Sequence, residues 1–456
     1  MLQPSFLQRF TRTFIPAPFL KLARQTRWSQ RRGKIDPFEF LTSLIFGQMS
    51  ASRPTLSSQS QSLGEPVTRQ AIDQRFNPQA VEYLKAAFTH VIATTLDWSP
   101  AHPHAQPLRQ HFAAVHLLDS TCFDCPDTLK TLFPSCGGDG SAANLKVLLR
   151  YELITGRLEP LNLLPGKRSD QGQALQAAER LQANQLQLQD KGFYDAKAWQ
   201  AAQQRGAYLL MPLPHATTLW QQETPGQPET QLDLAAALAA STQDRLDWPA
   251  LLVGKPGHRA GPLRLAAFRL SPESAERQRR GLRESMRTKG RTPSAKALQL
   301  AGWLLLLTNA PAQKLPFAMM SYLYRLRWQV ELIFRQAKTV LRWNKTESHD
   351  PDRVQCEIWA RLICAVVLFL WHTHANAECS LRYHCEVSFE KLTRLMQHWG
   401  LAFARGFLAD ARERLQLWRT IWKQILTNAR KGRQKNRPTT WENLFDRWLK
   451  NSAAPA

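Results

Sequence analysis

The chain has 456 residues, with 60 lysines and arginines against 36 aspartates and glutamates, a formal charge of +24. That length supports two to four domains around large cores, and the charge implies a polyanionic partner, because a basic surface attracts phosphates at long range. No continuous apolar stretch reaches the ~18–20 residues of a membrane span, no signal-peptide core opens the chain, and 7 cysteines, an odd number, indicate a reducing cytoplasm.

Residues 1–110 read as a helical domain. Thr55 to Ser62, Gly64 at a turn, and Thr68 to Phe76 match a helix-turn-helix. In the second helix Val67, Ala71, Ile72 and Phe76 form an inner stripe, while Arg69 and Gln70 fall on the outer face where groove-reading side chains belong. A purely structural helix pair has the same pattern, and that alternative stays open. Pro100, Pro103 and Pro107 mark a linker.

From 111 to 212 the periodicity changes. Val115 to Leu118 is a short apolar run ending at Asp119, and Leu145 to Ile154 and Leu158 to Leu164 flank a turn at Thr155-Gly156. Asp170 to Gln182 is helical, Gln185 to Gln189 alternates as a strand into Asp190, Ala196 to Gln204 is helical, and Ala207 to Met211 is a strand. Three strands, helix, strand, helix, strand is the order of a ribonuclease-H-like α/β core. Residues 213–302 read as a β-rich insertion with turns at Gly254, Gly257 and Gly261. It carries a basic stretch in which Arg277, Arg279, Arg280, Arg283, Arg287, Lys289 and Arg291 face one acid, Glu284. The core resumes over 303–350 with the strand Trp303 to Thr308, and 351–456 is a helical region with a basic tail from Arg419 to Arg437.

The helix from Phe317 to Arg342 has two unlike faces. With Tyr324 at zero and about 100° per residue, Arg327 falls near 300°, Glu331 near 340°, Lys338 near 320° and Arg335 near 20°. Leu323, Leu326, Val330, Ile333, Ala337, Val340 and Leu341 occupy the arc from about 160° to about 260°. One carboxylate ringed by cations and a phenol suits a group that holds a divalent ion while its neighbours hold phosphates. An exposed helix with an Arg327–Glu331 ion pair is the alternative.

Two Cys/His groupings lack the paired spacing of a zinc module: Cys122, Cys125 and Cys136 with His116, and His372, His374, Cys379, His384 and Cys385. No phosphate loop or dinucleotide fingerprint is present, so no nucleotide cofactor is implied.

The pattern Y-x2-R-x3-E-x6-K, met by Tyr324, Arg327, Glu331 and Lys338, resembles the signature of DDE transposases of the insertion-sequence type-four family. Leu117-Leu118-Asp119-Ser120-Thr121, Asp190-Lys191-Gly192-Phe193-Tyr194 and Trp303 to Asn309 are similar to the family's other motifs and fall in its order. The resemblance spans about 115 to 372. It implies metal-dependent DNA cleavage and strand transfer at the ends of an insertion sequence, with Asp119, Asp190 and Glu331 as catalytic and metal-holding carboxylates. Two Mg²⁺ ions, replaceable by Mn²⁺, would activate the attacking water and stabilise the leaving oxygen. Asp124, Asp127 and Asp195 are rival carboxylates, set aside because Asp119 and Asp190 each end a strand.

The resemblance further implies that Tyr324, Arg327 and Lys338 contact phosphates near the cleaved end, and that Trp303 stacks on a flipped base. A core aromatic is the other reading of Trp303. Arg280, Arg283, Arg287, Lys289 and Arg291, with the basic tail, are expected backbone grips. The expected partners are double-stranded DNA and a second copy of the chain on that DNA, in the bacterial cytoplasm at the nucleoid, with no membrane. A ribonuclease-H-like nuclease without strand transfer and a repurposed DNA-binding protein are the competing readings.

Overall fold

A computed structural model describes residues 3–31, 33–49, 55–95, 106–136, 141–155, 157–214, 217–222, 228–255, 258–288, 290–324, 327 and 346–432. The fold is mixed α/β with a large sheet and many helices. In chain order come α1 (Gln3–Thr13), α2 (Pro16–Gln25), α3 (Pro37–Gly47), α4 (Leu56–Ser62), α5 (Arg69–Asp73), α6 (Pro78–Thr95), α7 (Gln106–His111), β1 (Ala114–Cys125), β2 (Ala143–Glu152) and β3 (Arg157–Pro165). Then follow α8 (Gln171–Glu179), β4 (Gln185–Leu188), α9 (Ala196–Gln204), β5 (Tyr208–Pro212), β6 (Leu219–Gln221), β7 (Thr230–Gln231), α10 (Leu234–Ala240), β8 (Arg245–Val253) and β9 (Ala260–Arg269). The last elements are α11 (Pro272–Arg287), α12 (Ala295–Leu300), β10 (Trp303–Thr308), α13 (Pro351–Tyr383), α14 (Phe389–Leu408) and α15 (Ala411–Asn428).

The chain divides into two compact units. The first comprises 1–106, 120–168 and 331–439, and the second 107–119, 169–330 and 440–456.

In the first unit the long α13 is the axis. Its side chains are buried from Val354 to Cys379 with few exceptions, and α3 and α6 pack on it. At 33 residues it is long and apolar enough to cross a membrane, more than the sequence suggests, yet 94% of its most apolar window is buried inside the protein. It is a core helix, and its buried Glu357 is matched by Arg353 at 3.1 Å and Arg361 at 3.5 Å. Around Trp371 gathers an aromatic cluster of Phe6, Phe10, Phe403, Trp418 and Trp422, with ring centroids 5.3–6.2 Å from that indole. Helix starts are set by side chains that satisfy the first backbone N–H groups. Asp36 accepts from Phe38 and Glu39, Asp350 from Arg353, and Asp410 from Arg412 and Glu413. The helices α4 and α5 form where the sequence predicts a helix pair, each begun by a threonine, Thr55 and Thr68. The antiparallel β2–β3 pair completes the description of this unit.

In the second unit the first half of β1 pairs with β4, and β4 with β5, both in parallel. Then β10 runs antiparallel to β5 and to β9, followed by β8, β6 and β7. Parallel neighbours need a crossover, which α9 supplies between β4 and β5. Strands covered on both faces read as continuous apolar runs. Val115 to Leu118, Leu186 to Gln189 and Leu209 to Met211 are accordingly buried without alternation. Asn309 ties β5 to the end of β10, accepting from Leu209 N at 2.7 Å and donating to Ala207 O at 2.8 Å.

Two elements differ from expectation. The strand β1 continues through Asp119 to Cys125, so Asp119 does not end it; Thr121, Phe123 and Cys125 alternate as buried positions and prolong the extended chain. The basic stretch of the insertion is helical, because Ser271 caps α11 at Ser274 N, Pro272 opens its first turn, and arginine and glutamate favour a helix interior.

Burial pushes the His372 imidazole on α13 down to about 4 from 6.5, the Lys431 ammonium pushing the same way, while its Nε2 bonds to Val387 O at 3.0 Å. Between those values the unfolded chain holds the extra proton, so stability rises with pH there. The first unit should lose stability as pH falls from about 6.5 towards 4, and His372→Gln should flatten that segment of a pH series of thermal melts.

Candidate active site and nucleic-acid interface

The parallel β1–β4 ladder runs to the pair Leu117 and Leu188, and Asp119 and Asp190 each follow two residues further along the chain. Both residues are half-buried. Asp190 leads into a short 3₁₀ turn, Lys191–Phe193, in which Phe193 N donates to Asp190 O at 3.0 Å. Buried glutamines brace that turn: Gln187 Nε2 donates to Gln189 Oε1 at 2.9 Å, and Gln189 Nε2 to Phe193 O at 3.3 Å.

The rival acids have other work. Asp195 caps α9, accepting from Lys197 and Ala198, and Asp127 accepts from Ala142 N and Ser141 Oγ. Asp124 carries a backbone contact, its O accepting from Thr346 N at 3.0 Å. Glu331 and Lys338 lie outside the described residues. Tyr324 and Arg327 are half-buried on the helical stretch that begins at 317, with the Arg327 guanidinium 5.6 Å from the Tyr324 ring centroid.

Two half-buried carboxylates that follow the same end of a parallel strand pair are hard oxygen donors of the kind Mg²⁺ and Mn²⁺ take. They fit a divalent ion. Among the described residues no three His, Cys, Asp or Glu side chains gather at metal-holding distance. Every cysteine is a free thiol.

The expected DNA contacts fall into separate classes. Arg69 and Gln70 are exposed on α5, whose Ile72 is buried. On α11 only Ala275 is buried, and Arg280, Arg283 and Arg287 are exposed. Arg283, however, is engaged by Glu276 at 2.9 Å, and Arg279 by the same acid at 3.6 Å. Arg277, Arg280 and Arg287 of the same basic stretch have no ion-pair partner among the described residues. Arg291 is exposed and Lys289 lies outside the described residues. Trp303 is 7% exposed within the second unit's core, and the Arg269 guanidinium covers it 4.4 Å from the ring centroid. Sequence reasoning missed Arg269 because a cross-strand neighbour is visible only once β9 and β10 are in register.

Comparison with known proteins gives a consistent picture. A family model described as transposase DDE domain matches residues 110–367. The transposase for insertion sequence element IS231F of Bacillus thuringiensis subsp. israelensis is 25% identical over 390 residues, covering 81% of this chain and 80% of that protein. The transposase for IS1151 of Clostridium perfringens is 24% identical over 373 residues, 76% of each chain. Among solved structures, piggyBac transposase in a synaptic complex with hairpin DNA aligns over 94% of this chain and 88% of its own, at 12% identity and a TM-score of 0.40, too loosely to bear on the fold.

Asp190→Asn keeps the shape of a half-buried side chain and should leave stability within about 0.5 kcal/mol of the parent. Gln187→Leu strips the donor from buried Gln189 Oε1 and should cost about 1–3 kcal/mol. Denaturant titrations of the two variants check this contrast.

Proposed function

The chain belongs to the transposase DDE domain family, and on that footing we propose that Asp119, Asp190 and Glu331 are its catalytic carboxylates. It is an insertion-sequence transposase, a nuclease and strand-transferase that acts on DNA with divalent metal ions. The parallel β1–β4 ladder, which ends two residues before both Asp119 and Asp190, is the observation that most supports the assignment. The strand arrangement of the second unit supports a ribonuclease-H-like core: the first half of β1 pairs with β4, and β4 with β5, both in parallel. We read 1–110 and 351–456 as helical regions flanking that core, and 213–302 as an insertion within it.

In this reading the three carboxylates hold two Mg²⁺ ions, with Mn²⁺ able to replace them. Bound there, the ions supply an activated water or 3′-hydroxyl and offset charge on the attacking and leaving oxygens. The protein's own part is positioning. Tyr324, Arg327 and Lys338 grip phosphates beside the scissile bond, so that the reacting phosphorus cannot turn away from the carboxylates. Arg69 and Gln70 on α5 reach the duplex grooves, while Arg280, Arg283, Arg287, Lys289 and Arg291 grip the backbone with no sequence preference. Two copies would assemble on paired DNA ends in the bacterial cytoplasm.

Glu331→Gln keeps shape and removes a charge. It should abolish Mg²⁺-dependent cleavage of an element-end duplex while binding persists or tightens, and Asp119→Asn and Asp190→Asn should behave alike. Arg327→Ala and Lys338→Ala should instead weaken assembly on the cleaved end as well as catalysis. Near-normal, metal-dependent cleavage by Glu331→Gln would remove that residue from the site.

DNA affinity should also fall steeply with salt, through counterion release. Arg280→Ala and Arg287→Ala should each reduce the slope of log K against log salt by about 1. Arg283→Ala should reduce it less, because Glu276 already engages that guanidinium. A filter-binding series from low to high salt reads all three.

A further inference from the structure

The helix α5 has 5 residues, too few to hold its own orientation, because helices shorter than about 12–15 residues are marginal in isolation. Within it only Ile72 is buried, while Arg69, Gln70 and Asp73 are exposed. Its bearing therefore comes from contacts at its two ends. At the first, Thr68 accepts from Ala71 N at 3.2 Å, and Gly64 N in the preceding turn donates to Glu39 Oε2 at 3.0 Å. At the second, Trp28 Nε1 donates to Arg75 O at 3.0 Å, and Arg353 of α13 reaches Asp73.

The Arg353 guanidinium meets three partners there. Its Nε donates to Glu357 Oε1 at 3.1 Å, one terminal nitrogen lies 3.6 Å from Asp73 Oδ1, and the group covers the Phe76 ring 5.3 Å from its centroid. Phe76 is buried and packs on Phe40 of α3 at 5.5 Å. Arg353 thus ties the end of α5 to the axis of the first unit. Its side chain is 18% exposed, whereas that of Asp73 is 57% exposed. An ion pair with so exposed a partner adds little to stability, so this contact bears on geometry more than on folding.

We propose that Arg353 is a positioning residue for DNA recognition, fixing the bearing of α5 through Asp73 and Phe76. The inference rests on the reading that Arg69 and Gln70 face the DNA grooves. Base-edge contacts carry the sequence information and demand exact placement, whereas phosphate contacts carry none. A loosened α5 therefore loses specificity before it loses affinity. Glu357 holds the guanidinium from behind, and Arg361 at 3.5 Å still matches that buried acid when Arg353 is replaced.

The test uses the full-length chain and two duplexes of equal length, one carrying the element's terminal sequence and one unrelated. Arg353→Gln and Asp73→Asn should each lower the ratio of the two affinities several-fold, through weaker binding of the terminal duplex. The ratio cancels the gain that any duplex makes when Asp73 loses its charge. On the unrelated duplex the salt slope of Arg353→Gln should equal the parent's, and the thermal melt of Asp73→Asn should be unchanged. The double variant should be no worse than the poorer single one, because both remove the same contact. A salt slope reduced by about 1 in Arg353→Gln would mean that Arg353 grips a phosphate itself, overturning the inference. Equal losses on both duplexes in Asp73→Asn would make the contact structural and overturn it too, and that variant decides alone if Arg353→Gln does not fold. Parent ratios in both variants, with the ratio lost in Arg69→Ala, would overturn the inference and spare the reading of α5. Parent ratios in Arg69→Ala and Gln70→Ala would overturn both.

Discussion

Parallel pairing of β1 with β4 is the constraint on which the site depends. Parallel strands send their C-terminal ends to the same edge of a sheet, so residues at equal offsets arrive side by side whatever their separation in sequence. Here both Asp119 and Asp190 follow the same end of that pair, two residues beyond Leu117 and Leu188. The fold anchors this end by burying Leu117, Leu118 and Leu188 completely and by locking the Asp190 turn with the Gln187–Gln189–Phe193 hydrogen bonds.

The same economy governs the other acids. Asp36, Asp195, Asp350 and Asp410 terminate helices, Asp127 orders a turn, and Glu357 neutralises two arginines inside the helical unit. A carboxylate with such a task already satisfies backbone groups that would otherwise lack a partner. Arginines divide in the same manner. Arg279 and Arg283 share Glu276, Arg353 and Arg361 share Glu357, and Arg269 is bound to Asp244, so these guanidiniums are less free to meet DNA.

Much of this was determined by the sequence alone. Short-range physics sets helix caps, apolar periodicity and strand length, and these placed α4, α9, β5 and β10 within a residue or two of where they form. The motif around Tyr324, Arg327, Glu331 and Lys338 reveals the family, because chemistry restricts residue types more tightly than structure does. Local signals failed where an element's context decided its form. The alternation that follows Asp119 let β1 run on to Cys125, and the arginine-rich stretch became α11 inside an insertion otherwise built of strands.

Only the tertiary structure decided which side chains meet. Leu117 and Leu188 are joined by a register, Arg269 and Trp303 by an antiparallel pair, and Arg283 and Glu276 by about two turns of a helix whose existence the composition did not reveal. Long-range pairing is a property of the whole sheet, since each strand's register is set by the neighbours that bury it. A linear reading names the chemical groups. The folded chain settles which of them share a site and which are already occupied.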